Sequence, residues 1–249
     1  MNDGLVKYKH VQDDTYLAKL MEMEAFWRQI LRFLPRGVPD FPSHGVDHSE
    51  KIVILINDFI EEWKPELSVK EIYLLYLAAW AHDIGCLNGR EKHHIKSVEL
   101  LKKTPVFESL LGDEIFTDLK WIVVSHSSKY LMVKVPKTCF GVRLKLVASI
   151  FRILDGCEMG SSKCPPIVYN LIDDLHPESK KHWEAHLSII GIKLSYPKIE
   201  IYTKNIGKCE ILTSHLDEEI YSVKHILDEY DIKIPKVDVK DFSIRELSE

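Results

Sequence analysis

The sequence predicts a mainly α fold, a helical bundle with a small C-terminal α/β appendage. Three observations carry this. Apolar residues recur at helical spacing from residue 14 to about residue 156. One stretch, residues 72–82, is apolar nearly all round, the pattern of a helix buried at the centre of a bundle. After residue 163 the texture changes, and from residue 189 come short runs such as I-E-I-Y-T, in which polar and apolar residues alternate as in half-buried strands. The expected division is a helical domain over 1–163, followed over 164–249 by connector helices and a small α/β subdomain.

The elements follow in order. Residues 14–34 read as a first helix, with Leu17, Leu20, Phe26, Trp27, Ile30 and Leu34 near helical spacing. Pro35, Gly37, Pro39 and Pro42 break it and form a loop leading into His44. Ile52, Leu55, Ile56, Phe59 and Trp63 make the stripe of a second helix, 46–63. Ser68 with Glu71 reads as a capping box for the third helix, 72–82, which Gly85 and Gly89 end. Further helices fit 90–103, 113–125 and 142–156, with a loop over 129–140. Beyond Cys164-Pro165-Pro166, an element over 167–175 and a helix over 177–186 form the connector. Strands are expected at 189–195, 198–203 and 209–213, then a helix over 216–230 and a last strand over 237–244.

Bulk properties narrow the function. A net charge of -5 gives no general basic footprint for nonspecific nucleic-acid binding. The five cysteines are odd in number and form no C-x-x-C pair, so a reducing, cytoplasmic setting is expected rather than a disulfide framework. Residues 1–10 are too polar for a signal peptide. The longest apolar run, residues 72–81, is about half of the roughly 20 residues a membrane span requires, so no membrane partner is expected.

The chemistry gathers on histidine and aspartate. The doublet His82-Asp83 closes the buried third helix, in W-A-H-D-I-G. His48 opens the second helix in D-H-S-E-K-I, and Asp155 closes another in R-I-L-D-G. His93-His94 and His126 lie between them in the chain. Imidazole nitrogen and carboxylate oxygen hold a catalytic divalent metal while leaving positions open to water. Neighbours on a helix point about 100° apart, so His82 and Asp83 share one ion only at its edge or where it unwinds, as Gly85 permits. An unpaired Asp83 at a greasy helix end is costly; a metal, or a cation such as Arg152, resolves that cost. Asp173-Asp174 and Asp217-Glu218-Glu219 read as solvated charge.

Set in order, His48, His82, Asp83 and Asp155 match the H…HD…D pattern of the HD-domain superfamily of metal-dependent phosphohydrolases. The resemblance covers about residues 44–160 and implies an HD-type helical bundle over the first domain. His93 and His126 resemble the extra histidines of branches that look like two-metal enzymes. The H-G-x-x-H-S opening at His44 and the α/β tail resemble, more weakly, the bacterial and archaeal HD-CE branch. Departures matter too. Cys86 stands where cyclic-dinucleotide members carry the Lys of H-D-I-G-K, and no G-Y-P follows. Cys86 also stands where nucleotidase-like members carry the Glu of H-D-x-x-E.

The resemblance implies a metal-dependent phosphohydrolase acting on a phosphate mono- or diester, a nucleotide or related small molecule. The cofactor is one or two divalent ions: Mn, Fe, Co, Ni, Zn or Mg. His48, His82, Asp83, His93, His126 and Asp155 are the expected ligands, with His94 the alternative to His93. Asp83 also belongs to the catalytic set with His44, for substrate hydrogen bonding or leaving-group protonation. Arg90, then Lys129, then Lys51 are candidates for phosphate. A metal-dependent nuclease and a non-catalytic nucleotide sensor or interaction module are the competing readings. The tail covers the site, binds a partner or makes a homo-oligomer; the sequence does not choose.

Overall fold

A computed structural model describes residues 7–38 and 40–242. Residues 1–6 of the polar start, Pro39 of the loop and residues 243–244 of the expected last strand lie outside that range. The described residues form ten α-helices and one three-stranded mixed sheet near the C-terminus.

The buried centre is α3 (Val69–Ala81), in which every residue from Tyr73 to Ala81 is buried. Its start is fixed locally. Ser68 Oγ accepts from the Glu71 amide at 3.2 Å, and the Glu71 carboxylate accepts from the Ser68 amide at 2.8 Å, the reciprocal pattern of a capping box. The same carboxylate takes Nε of Arg143 at 2.8 Å and Nη2 at 2.7 Å. That ion pair clamps the head of α3 to α7 (Leu144–Cys157), the most amphipathic part of the bundle. Around these lie α1 (Asp14–Leu31), α2 (Val46–Trp63), α4 (His93–Lys103), α5 (Pro105–Leu111) and α6 (Asp113–Ser125). α1 stops short of residue 34 because Pro35 disfavours helical backbone before it; a 3₁₀ turn, Leu34–Arg36, takes over. α5 was not expected. Pro35's logic runs in reverse there: Pro105 sits at the first helical position, where its missing N–H costs nothing, and Gly112 at φ 80° ends the helix.

The C-terminal part begins with a short helix, α8 (Pro166–Tyr169), then α9 (Pro177–Ser188). β1 (Ile189–Ser195) pairs antiparallel with β2 (Lys198–Thr203). α10 (Ile206–Glu229) then crosses over, and β3 (Lys236–Asp241) pairs parallel with β2. The strand expected at 209–213 is therefore helix. Asn205 caps it, accepting from the Lys208 amide at 3.0 Å, and Cys209, Thr213 and Leu216 continue the buried stripe of Ile220, Val223 and Leu227. C-E-I-L-T is too short a window to separate alternation from the edge of a 3.6-residue period. Ile189, Leu194, Ile199, Ile201, Leu216 and Val223 belong to the same buried cluster as the bundle core. Among the described residues no helix is long and apolar enough to cross a membrane.

The end of α3 is where the fold prepares a site. The last helical bond runs from the His82 amide to the Ala78 carbonyl at 3.0 Å, and Asp83 (φ -102°, ψ 2°) opens a 3₁₀ turn, Ile84–Asn88. Gly85 serves close approach here. A Cβ on it would stand 2.2 Å from the His93 carbonyl oxygen and 2.4 Å from the Ser97 amide. Ser97 Oγ accepts from the Gly85 amide at 2.8 Å and donates to the His82 carbonyl at 2.5 Å. α4 is thus stapled directly against the His82-Asp83 doublet. Gly85→Ala should destabilise the protein by about 1–3 kcal/mol or more through overpacking, read as a lower denaturation midpoint in urea. A variant as stable as the parent would mean α4 does not pack this closely.

Candidate metal centre

Three helix ends meet at one point. His48 comes from the first turn of α2, His82 and Asp83 from the end of α3, and Asp155 from the last turn of α7. His48 Nε2 lies 3.1 Å from His82 Nε2 and 3.2 Å from Asp155 Oδ1, and His82 Nε2 lies 3.4 Å from that same oxygen. Asp83 Oδ2 closes the group at 3.5 Å from His82 Nε2 and 3.7 Å from His48 Nε2. Two ligand atoms bound at about 2.1 Å and roughly 90–110° apart stand about 3.0–3.4 Å from each other. The spacing is that of groups sharing an ion.

The other oxygen of Asp83 faces a second group. Oδ1 lies 3.3 Å from His93 Nε2, at the start of α4, and 3.7 Å from His126 Nε2, just past α6. The two imidazole nitrogens are 2.9 Å apart. Asp83 therefore bridges two histidine pairs, one oxygen to each.

The ring orientations are held from behind. His82 Nδ1 donates to the Ala78 carbonyl at 3.1 Å, His93 Nδ1 to Arg90 at 3.0 Å and His126 Nδ1 to Val123 at 2.6 Å. A carbonyl only accepts, so each Nδ1 carries a proton, and in the neutral form each ring turns a bare Nε2 lone pair inward. His48 Nδ1 faces the Glu158 carboxylate at 2.8 Å, and Lys163 Nζ holds that carboxylate from the far side at 3.0 Å. Such outer partners fix tautomer and raise ligand basicity at metal sites. Lone pairs aimed at one another across about 3 Å repel unless a cation sits between them. The donor set fits divalent metal on this ground, and three overlapping groups, His44-His48-Asp83, His48-His82-Asp155 and Asp83-His93-His126, have ligand spacing.

Charge tells the same story. Burial pushes the Asp83 and Asp155 carboxyls up, but attraction to a protonated His82, which the two carboxylates raise in turn against its own burial, holds both well below the usual range; a divalent metal would supply that positive charge to a neutral ring. Burial pulls His93 and His126 down, with Asp83 opposing, so these rings stay neutral and able to ligate a metal. Burial also raises Glu158, yet Lys163 and His48 bring it down to about 2.

The remaining candidates are placed as follows. His44 lies in the loop before α2, with Nδ1 2.8 Å from Asp83 Oδ2. Arg90 Nη1 is 3.6 Å from Asp83 Oδ1 and 3.4 Å from His93 Nε2. Lys129 is exposed at the rim of the cavity that opens onto Asp83 and Asp155. Lys51 is exposed and lines a different cavity. His94 is buried with Nδ1 unpartnered and stays out of the ligand groups. Arg152 is not the cation beside Asp83. Its guanidinium donates to the Ser125, Ser127 and Tyr130 carbonyls, capping the end of α6 instead. Asp173 and Asp174 are exposed as expected, though on loop rather than helix, but Glu219 is buried. The sequence reading missed Glu158 and Lys163, which come from turns after α7 and carry no periodic signal. Glu219 had one: it falls between Leu216, Ile220 and Val223 on the apolar stripe of α10.

α9 and α10 supply the far wall of that cavity, with His182, His186, Ile211 and His215 facing Asp83 and Asp155 across about 470 Å³. The tail thus encloses the site, an outcome the sequence left open. The HD-CE family model matches residues 38–228, so the match spans both the ligand helices and this wall. No curated protein matches the chain.

Two outcomes follow for metal content measured by elemental analysis after gel filtration. Asp83→Ala should strip both groups of metal, whereas His126→Ala should leave the group at His48, His82 and Asp155 loaded; equal losses would separate Asp83 from the bridging role. Glu158→Ala should weaken metal binding about 10–100-fold, read by competition against a chelator.

Proposed function

The chain belongs to the HD-CE family, an HD-domain family, and from that premise we propose that it is a metal-dependent phosphohydrolase acting on a small phosphoester of nucleotide size. One observation carries the reading: Asp83 presents one oxygen to each of two histidine pairs whose lone pairs converge. Divalent metal held there supplies an acidified water as nucleophile and a Lewis acid for phosphoryl oxygens. The protein's own groups do the rest.

His44 and Arg90 flank Asp83 from opposite sides. His44 holds the carboxylate in place. Arg90 is only partly exposed and bonds the cavity wall through one nitrogen, leaving planar N–H donors for a phosphoryl oxygen. Lys129 adds charge at the rim. The cavity volume lies in the range that takes a small-molecule ligand. Its wall mixes Phe41, Pro42, Ile211 and Leu212 with histidines, a lining suited to an organic group attached to the phosphate. The acidic balance of the chain argues against a nucleic-acid backbone as the main target.

The test is a screen of mononucleotides and simple phosphate esters against chelator-stripped protein reloaded with single divalent metals. Release of phosphate that depends on reloading is the expected result; full metal occupancy with no turnover of any ester would refute it. Arg90→Ala should raise KM about tenfold or more, the loss of one charge-assisted hydrogen bond, with a smaller change in kcat.

A further inference from the structure

Glu219 is left over when the metal-facing groups have been assigned. It sits on α10, 5% exposed, and lines the same cavity as Asp83 and Asp155. Its Oε2 is buried and has no hydrogen-bond partner. The nearest cation, Arg152 Nε, is 3.5 Å away, because the Arg152 donors are taken by three backbone carbonyls and Ser222 Oγ. On its own helix, His215 Nε2 lies 3.5 Å from Oε1. Ser128, from the turn after α6, also faces the carboxyl, and Asp155 on α7 adds like charge. A carboxylate buried with one oxygen unpartnered relieves the cost by keeping its proton. Burial pushes Glu219 up to about 7, against the pull of Arg152 and Ser128.

A buried carboxyl, holding a proton near neutral pH and facing a cavity that opens onto the metal-ligand groups, has the makings of a proton donor. Arg90 cannot serve, since a guanidinium does not release its proton in this range. We propose that Glu219 is the general acid of this site, protonating the leaving oxygen of the phosphoester. The inference rests on the phosphohydrolase reading above. In the step, water oxygen forms the new bond to phosphorus while the bond from phosphorus to the ester oxygen breaks. The departing electron pair takes the Glu219 proton, giving the free alcohol. The attacking water releases a proton to solvent, and solvent reprotonates Glu219, so the net change is hydrolysis to alcohol and phosphate. The appendage thereby contributes chemistry as well as enclosure.

Leaving-group dependence tests this on the full metal-loaded chain. Glu219→Gln, nearly isosteric with the protonated acid, should lower kcat for ethyl phosphate about a hundredfold. The loss on p-nitrophenyl phosphate, whose leaving group departs without a proton, should be at least about tenfold smaller on the same ground. In the parent, turnover of ethyl phosphate should fall as pH rises through about 7, where the acid ionises, and the variant should lack that limb. Without substrate, infrared difference spectra should show a carboxylic-acid carbonyl band that titrates near 7 in the parent and is missing from the variant. Should the variant fail to fold, the parent's pH limb and infrared titration still decide. Equal losses on the two esters, or a carboxyl that ionises in the ordinary range of about 4.3, overturns the assignment of Glu219 alone. A parent loaded with metal that hydrolyses neither ester removes the phosphohydrolase reading and this inference with it.

Discussion

Asp83 is the constraint on which the rest of the structure depends. Its carboxylate is 3% exposed at the end of an apolar helix, where an unpaired negative charge costs several kcal/mol or more. The fold answers by surrounding it with His44, His82, His93 and Arg90. Each of these comes from a different segment, so the cost of burying one charge couples the loop before α2, the end of α3, the loop after the 3₁₀ turn and α4. The helix must unwind at this residue for both oxygens to be used. It does so where Gly85 lets α4 approach to backbone contact. Local geometry and site chemistry are one requirement here, and neither is satisfied if the other fails.

Much of this was legible in the chain because it depends on local rules. The bounds of α2 and α6 coincide with those the stripes and breakers predict. The capping box at Ser68 and Glu71 forms as read. The convergence of His48, His82 and Asp155 was legible too, since each lies at the end of a helix whose apolar face fixes its direction. What could not be read depends on packing between distant segments. Arg152 read as a cation that could offset Asp83; only the end of α6 shows that its donors are needed elsewhere. Glu219 looked solvated because it sits in an acidic run, and only the docking of α10 on α7 buries it. Cys209 to Thr213 looked like a strand because five residues do not distinguish the two periods.

Arg152 gives the C-terminal wall its rigidity. Its guanidinium holds the carbonyls of Ser125, Ser127 and Tyr130, and so the turn that carries His126, while Ser222 Oγ on α10 accepts from Nη1 at 3.0 Å. One buried cation thus ties together the second histidine pair and the helix that faces it. Burial pulls its pKa down, with Glu219 opposing, yet an arginine stays charged. The positive charge satisfied by neutral carbonyls is what leaves Glu219 without a full partner.

The junction at residue 163, where composition shifts, is bound into the site as well. Lys163 Nζ holds Glu158, which holds His48. The carbonyl of Lys163 accepts from the Ser43 amide at 2.9 Å, next to His44. The turn after α7 therefore braces the two histidines that approach Asp83 from the α2 side. On α9, His186 Nδ1 donates to the Met159 carbonyl at 2.8 Å, fastening the connector to the same turn. A tail added merely to shield the bundle would need none of these bonds. Their placement around His44 and His48 argues that the ligand geometry and the enclosing wall were built as one framework, with the turn from Glu158 to Lys163 as its hinge point.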